Sequence, residues 1–242
     1  MTVRRLYAPN LPEQGGMVTL EEGASRHVRV LRLRVGEEVE LFDGLGRVAA
    51  ARVESIGGEV TCRADEATVA EPRHTRVVLM LAIPKGSTLD DCVRMATELG
   101  VHEVALMQAD RSVPRWDVER TRSRIERLTR IAAEASAQCE RADIPIIHGP
   151  KSCAEHLAEL PTGVFGVVFG ARATEALVID ETPEQVWCAV GPEGGFSDAE
   201  LASLQAAGFT AASLGKSILR VDTAVAAALT VVQDRLRPLQ PR

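Results

Sequence analysis

The chain has 242 residues, 45% of them hydrophobic and 26% charged, with a formal net charge of −6. That length suits one large domain or a large one beside a small one, and the composition is that of an ordinary soluble globular protein, with no apolar run near the roughly 20 residues that span a bilayer. The five scattered cysteines include no C-x-x-C pair and the amino terminus has no apolar stretch behind Arg4-Arg5, which argues against a disulfide framework, a metal site and a secretory signal and points to the cytoplasm.

In chain order, β-type segments are expected at 38–42, 47–56 and 60–63, separated by Asp43-Gly44 and Gly57-Gly58. Such spacing suggests a small antiparallel barrel between Met17 and Asp65. An insert at 24–33, introduced by Ser25, reads as a short helix presenting His27, Arg29, Arg32 and Arg34, with a capping or packing role as the alternative for His27. A linker at 70–75 closes this module, setting domains at 1–72 and 73–242. Beyond it the pattern alternates: strands at 76–83, 104–107, 144–147 and 164–169, and helices at 87–99, 117–140 and 151–160. Strand and helix in turn imply an α/β fold with a mostly parallel sheet. The final helix, 223–232, is alanine-rich and apolar around nearly its whole circumference, so burial on all sides is expected, with Asp222 as its cap and Pro238 past its end.

Two loops carry the most information. The apolar run 186–190 reads as a buried strand; Gly191-Pro192-Glu193-Gly194-Gly195-Phe196 follows it, and Ser197-Asp198-Ala199-Glu200 is a capping-box pattern that starts a helix. Strand, glycine turn and helix start present backbone N–H groups at the carboxyl end of a sheet, where α/β folds bind ligands. A plain tight turn is the alternative. Leu214-Gly215-Lys216-Ser217-Ile218-Leu219-Arg220 supplies a second small-residue turn. Neither turn has G-x-G-x-x-G spacing or a Walker lysine, which disfavours a nucleotide-dependent metabolic enzyme.

Gly-Pro-Glu-Gly-Gly-Phe-Ser at 191–197 and Leu-Gly-x-x-Ile-Leu-Arg at 214–220 resemble the bacterial 16S ribosomal RNA uridine-N3 methyltransferases of the SPOUT superfamily. So do His27–Arg32, Leu41–Gly44, Ala96–Val101, Arg111–Val113 and Glu134–Arg141, in the family order. There are departures: Arg94 for lysine, Cys139-Glu140 for serine-glycine and Asp222 for glutamate. The resemblance implies a PUA-like RNA-binding barrel followed by a knotted methyltransferase domain, its carboxyl-terminal segment threaded through a preceding loop. It implies S-adenosylmethionine as cofactor, 16S ribosomal RNA of the small subunit as partner, a homodimer, and neither metal nor membrane. Cofactor binding would fall to Gly170, Gly191, Pro192, Glu193, Gly194, Gly195, Leu214, Gly215, Ser217, Ile218 and Leu219. Catalysis would fall to Arg220 and Glu193, and RNA binding to Arg4, His27, Arg29, Arg32, Arg111 and Arg141.

The chemistry fits those residue types. Uridine N3 is a poor nucleophile until its imide proton is lost or polarised, and an arginine on a uracil carbonyl favours the anion. A salt bridge to Asp222 or Glu193 is the structural alternative for Arg220, and capping of neighbouring N–H groups the one for Glu193. Charge distribution leaves room for RNA: residues 1–35 carry six arginines against three glutamates, and 111–141 eight arginines against five acids. Two rival readings remain, a ribose 2′-O-methyltransferase of the same superfamily and a non-catalytic ribosome-assembly factor.

Overall fold

In the computed structural model, which describes residues 4–71, 75–170 and 173–236, six strands are drawn from the amino-terminal region: β1 (Arg4–Tyr7), β2 (Gly16–Thr19), β3 (Glu38–Phe42), β4 (Arg47–Ile56), β5 (Val60–Ala64) and β6 (Thr68–Val69). They form one sheet in the order β1-β3-β4-β5-β2, with β6 on β4. Along β4 the residues Ala49, Ala51 and Val53 turn inward and their neighbours outward, the period-2 pattern of a half-buried strand. The expected antiparallel pairing holds for β3–β4 and β4–β5, but β1 adds to β3 in parallel. Helix α1 (Glu22–Val30) drops Val28 into the core formed by Leu6, Val18, Leu41, Val53 and Val60. Ser25 does not introduce this helix. It lies inside, and its hydroxyl donates to the Leu20 carbonyl at 3.0 Å.

The chain divides into two compact units, Met1–Pro72 with Ala133–Ile144, and Arg73–Ala132 with Pro145–Arg242. The expected division at 72 and 73 leaves 133–144 out of the first unit. The reason for its inclusion is local: Ile144 N–H donates to the Gly44 carbonyl at 2.9 Å, and a Cβ on Gly44 would stand 2.8 Å from the Ile144 side chain.

The turn between β3 and β4 is built on a buried carboxylate. Asp43 Oδ1 accepts from the N–H groups of Leu45 and Arg47 at 2.7 and 2.9 Å, and Oδ2 accepts from Arg47 Nε at 2.7 Å. Burial pushes the Asp43 carboxyl up, but the Arg47 guanidinium and the two N–H groups outweigh it and hold it below the ordinary value of 3.8. A carboxyl depressed in the folded state stabilises above its unfolded value, and that stabilisation is lost as pH falls through the lower folded value. Asp43→Asn should therefore be less stable than the wild type at pH 7, with the gap closing as pH drops below about 3.8. Denaturant unfolding at pH 7 and pH 3 checks this; a gap independent of pH would show that the charge of Asp43 contributes nothing.

The second unit contains β7 (Arg76–Ala82), β8 (Glu103–Met107), β9 (Ile146–Lys151), β10 (Phe165–Phe169), β11 (Gln185–Val190) and β12 (Thr210–Ala212). Their order is β12-β10-β11-β7-β8-β9, and every pair is parallel. Val77 to Ala82 are all buried, as both faces of a central parallel strand must be. Around the sheet lie α2 (Thr88–Glu98), α3 (Val118–Gln138, its last residues counting with the first unit), α4 (Cys153–Ala158), α5 (Asp198–Ala206) and α6 (Val221–Leu236).

Helix α6 differs from expectation. Val221, Val225, Ala228, Leu229 and Val232 are buried along one face, where the helix packs on α2 and β11, but Thr223 and Thr230 are exposed. Asp222 does not cap it from outside either. It sits in the first turn, and its Oδ1 accepts from the Thr223 N–H at 2.8 Å. The rest of the expected linker (72–74) and Pro238 lie outside the described residues. Among the described residues no helix is long and apolar enough to cross a membrane, and no cluster of three metal-ligating side chains occurs.

Candidate functional site

Parallel pairing brings three distant loops to one edge. Phe169 at the end of β10 stands opposite Val190 at the end of β11 and Ala212 at the end of β12. Gly170, the 191–195 loop and the 213–219 loop therefore leave the sheet side by side, at the carboxyl ends of neighbouring strands. This is the place where such a sheet offers oriented N–H groups to a ligand.

The glycines divide by job. At Gly191 a Cβ would stand 3.2 Å from the Phe196 nitrogen, and at Gly194 3.3 Å from the Arg111 side chain, so these two serve close packing of the loop. Gly195 has φ +67° and Gly215 φ +111°, conformations that disfavour any side chain. At Gly170, Gly195 and Gly215 a Cβ would meet nothing within 4 Å, so the loop edges border open space. The N–H groups of Lys216, Ser217, Ile218 and Leu219 have no protein acceptor among the described residues.

The 191–195 loop is held from outside. Ser197 and Glu200 form the expected capping box of α5. Ser197 Oγ also donates to Asp110 Oδ2 at 2.6 Å, while Asp110 N–H donates to Glu200 Oε1 at 2.9 Å. Arg111, expected on RNA, instead donates from Nη1 to the Gly194 and Phe196 carbonyls at 2.9 and 3.1 Å. The loop after β8 is thus the clamp of the glycine loop. No local pattern in the sequence marks Asp110, because its partners lie about 90 residues further along the chain. Glu193 behaves as a tether: its Oε1 accepts from the Lys85 N–H at 2.9 Å.

Arg220 is exposed, and its guanidinium has no hydrogen-bond or ion-pair partner among the described residues. Asp222 is engaged with Thr223 and Glu193 with Lys85, so the salt bridge considered for Arg220 does not form. The Arg220 carbonyl accepts from Ala224 N–H at 2.8 Å, which fixes its backbone at the start of α6. Next to it, Ile218 is 89% exposed, unusual for an isoleucine in a tight loop.

The residues expected on RNA do not behave alike. Arg4, His27 and Arg32 are exposed with unpaired side chains among the described residues, and Arg32 sits at φ +54°. Arg29 is tied down, donating from Nη2 to the Gly57 and Gly58 carbonyls at 3.0 and 3.1 Å. Arg141 is a correction: its side chain is 5% exposed and forked onto Asp143, with Nη2 2.5 Å from Oδ2. A guanidinium buried against its own carboxylate is not available to a phosphate.

Comparison with known proteins agrees with this geometry. Residues 71–233 match the RNA methyltransferase domain family and residues 20–63 the RNA methyltransferase PUA domain family. The Ribosomal RNA small subunit methyltransferase E of Mycobacterium tuberculosis is 32% identical over 240 residues, covering 96% of this chain and 92% of its own. A Ribosomal RNA small subunit methyltransferase E from Neisseria gonorrhoeae, crystallised with S-adenosyl methionine, superposes with a TM-score of 0.88 at 28% identity over 96% of this chain and 98% of that one. A Legionella pneumophila methyltransferase in complex with the same cofactor gives 0.89 at 28% identity, over 97% and 98%. With a sheet whose carboxyl edge gathers the 170, 191–195 and 214–219 loops, and with these relatives over nearly its whole length, the chain belongs to the ribosomal RNA small subunit methyltransferase E family.

Proposed function

We propose that this chain methylates N3 of a uridine in 16S ribosomal RNA of the small subunit, using S-adenosylmethionine. The observation that carries the reading is the meeting of three backbone-lined loops at the ends of β10, β11 and β12, with the unpaired Arg220 directly after the last. The loops suit the cofactor: open space lies where Cβ atoms would stand at Gly170, Gly195 and Gly215, and the N–H groups of 216–219 are free to hold its polar parts. When bound, S-adenosylmethionine supplies a methyl group made electrophilic by the sulfonium.

The protein's own residues must ready the nucleophile. Transfer of the N3 proton to solvent water spreads negative charge onto the flanking uracil carbonyls, and the Arg220 fork donates to one of them as that charge develops. Glu193, held by Lys85 N–H, orients the substrate through its second carboxylate oxygen. N3 lies on the Watson–Crick edge, so the target uridine must be unpaired or flipped from its stack. Labelled S-adenosylmethionine with undermethylated small subunits, followed by mass spectrometry of nucleosides, tests the reading. N3-methyluridine is the expected product; a 2′-O-methylated nucleoside, or no transfer, overturns it.

RNA grip is assigned to Arg4, His27, Arg32 and Arg34 in the first unit, whose side chains are exposed and have no hydrogen-bond or ion-pair partner among the described residues. Replacing Arg32 and Arg34 together by alanine should weaken RNA binding and lower the slope of log affinity against log salt by about 2, close to 1 for each phosphate no longer neutralised. An unchanged slope would remove these two side chains from the interface. In this reading the chain acts in the cytoplasm as a homodimer, and the half-exposed Ala224, Ala227 and Val231 on α6 with the uncovered Ile218 support the pairing of two copies. The carboxyl-terminal knot belongs to the same proposal; Gln233 Nε2 donating to the Leu99 carbonyl at 3.0 Å is a hydrogen bond such threading would lock.

A further inference from the structure

A cavity of about 240 Å³ lies at the carboxyl end of β7 in the second unit. Its walls include Pro84, Asp90, Pro114, Trp116, Arg120 and Arg124. That volume is below the roughly 300–1,000 Å³ of pockets for drug-sized ligands, so the cavity suits a fragment the size of one base rather than a whole cofactor. The cavity also borders the proposed reaction site: Pro84 and Gly86 flank Lys85, whose N–H is bonded to Glu193 of the glycine loop.

Its lining is specific in character. Trp116 is half-buried, so part of its ring faces solvent. Pro114 is held by Gln108, whose Nε2 donates to its carbonyl at 2.9 Å. The carboxylate in the wall, Asp90, is neutralised by Arg127, with Nε 3.1 Å from Oδ2. Arg120 and Arg124 are left without hydrogen-bonded or ion-paired side chains among the described residues. An aromatic face, two apolar proline surfaces and two uncommitted guanidinium groups make a place for a planar, uncharged ring attached to an anionic backbone.

We infer that this cavity receives the unstacked base of a nucleotide flanking the methylated uridine, with its ring on Trp116 and its phosphates on Arg120 and Arg124. The inference rests on the RNA-modifying function proposed above and adds an RNA subsite to it. Stacking on an aromatic side chain tolerates any base, so the subsite sets strand path and grip rather than base identity. It also answers a compositional problem: a chain with 3% aromatic residues has few rings to offer RNA, and one of its two tryptophans stands here.

The test reads the ring directly. Trp187, the other tryptophan, is buried, and its indole N–H has no partner among the described residues, so Trp187→Phe breaks no described hydrogen bond and leaves Trp116 as the sole tryptophan reporter. Titrating that variant with a single-stranded, uridine-containing RNA oligonucleotide should quench its fluorescence saturably. In the wild-type background Trp116→Ala should raise the half-saturating RNA concentration about 5- to 100-fold, Trp116→Phe should restore most of the affinity, and S-adenosylmethionine affinity should stay unchanged in both. RNA binding without quenching, or Trp116→Ala binding RNA like the wild type, overturns the subsite. Methyl transfer decides the function separately: transfer without quenching rejects the subsite alone, and quenching without transfer rejects the methylation reading while the subsite stands.

Discussion

Arg220→Lys is expected to lower turnover about 10²–10³-fold, the range for removing one preorganised donor to a developing oxyanion, with melting temperature and cofactor affinity nearly unchanged. The expectation follows from isolation. Asp222 and Glu193 are spent on the N–H groups of Thr223 and Lys85, so no described residue is paired with the guanidinium. Lysine keeps the positive charge but is a flexible point donor, whereas the planar fork holds a carbonyl in one orientation. A drop in kcat with cofactor affinity intact marks an interaction made chiefly in the transition state. Joint loss of stability and cofactor binding would make Arg220 structural, and near-normal turnover would move the chemistry to another group.

Gly170→Val and Gly195→Val should both weaken S-adenosylmethionine binding about 10- to 100-fold, roughly 1.4–2.8 kcal/mol. They arrive there differently. Gly170 does not have a positive φ, so valine there only fills the space beyond the loop, and the apoprotein should melt as the wild type does. Gly195 sits at φ +67°, so valine there both fills space and strains the backbone, and the apoprotein should also lose stability. Calorimetry and ligand-dependent melting separate the two, since a ligand that binds only the native state raises the melting point by mass action. Unchanged affinity in Gly170→Val would take the end of β10 out of the cofactor site.

The elements legible in the sequence are those whose burial follows a period. Alternation along β4 and the unbroken apolar run of β7 mark their bounds to within a residue, and Ser197 with Glu200 marks the start of α5. Edge strands are less legible. β12 has three residues, β1 pairs with a strand far along the chain, and β9 extends through Gly149 and Pro150, where an edge position tolerates what an apolar pattern reads as a break. At the site, glycine spacing locates the loops, but the job of each arginine depends on its neighbours in space. Arg111 and Arg141 are indistinguishable from Arg32 as letters. The first braces Gly194 and Phe196, the second is buried on Asp143, and only the third is left unpaired.

The place of β11 has a consequence for biosynthesis. It lies between β10 and β7 in the sheet but follows both in the chain, and its pairing joins Arg76 to Gln185. Translation at about 5–20 residues per second delivers the second of those residues roughly 5–20 seconds after the first. Through that interval β7 has an unpaired apolar edge, the kind of template that recruits other nascent strands. The glycine loop emerges with β11, so a chain released before it has a sticky half-sheet and no cofactor site. Truncation before residue 185 is therefore expected to yield aggregation rather than partial activity, which expression of a chain ending at residue 184 and its partition between soluble and pelleted fractions would check.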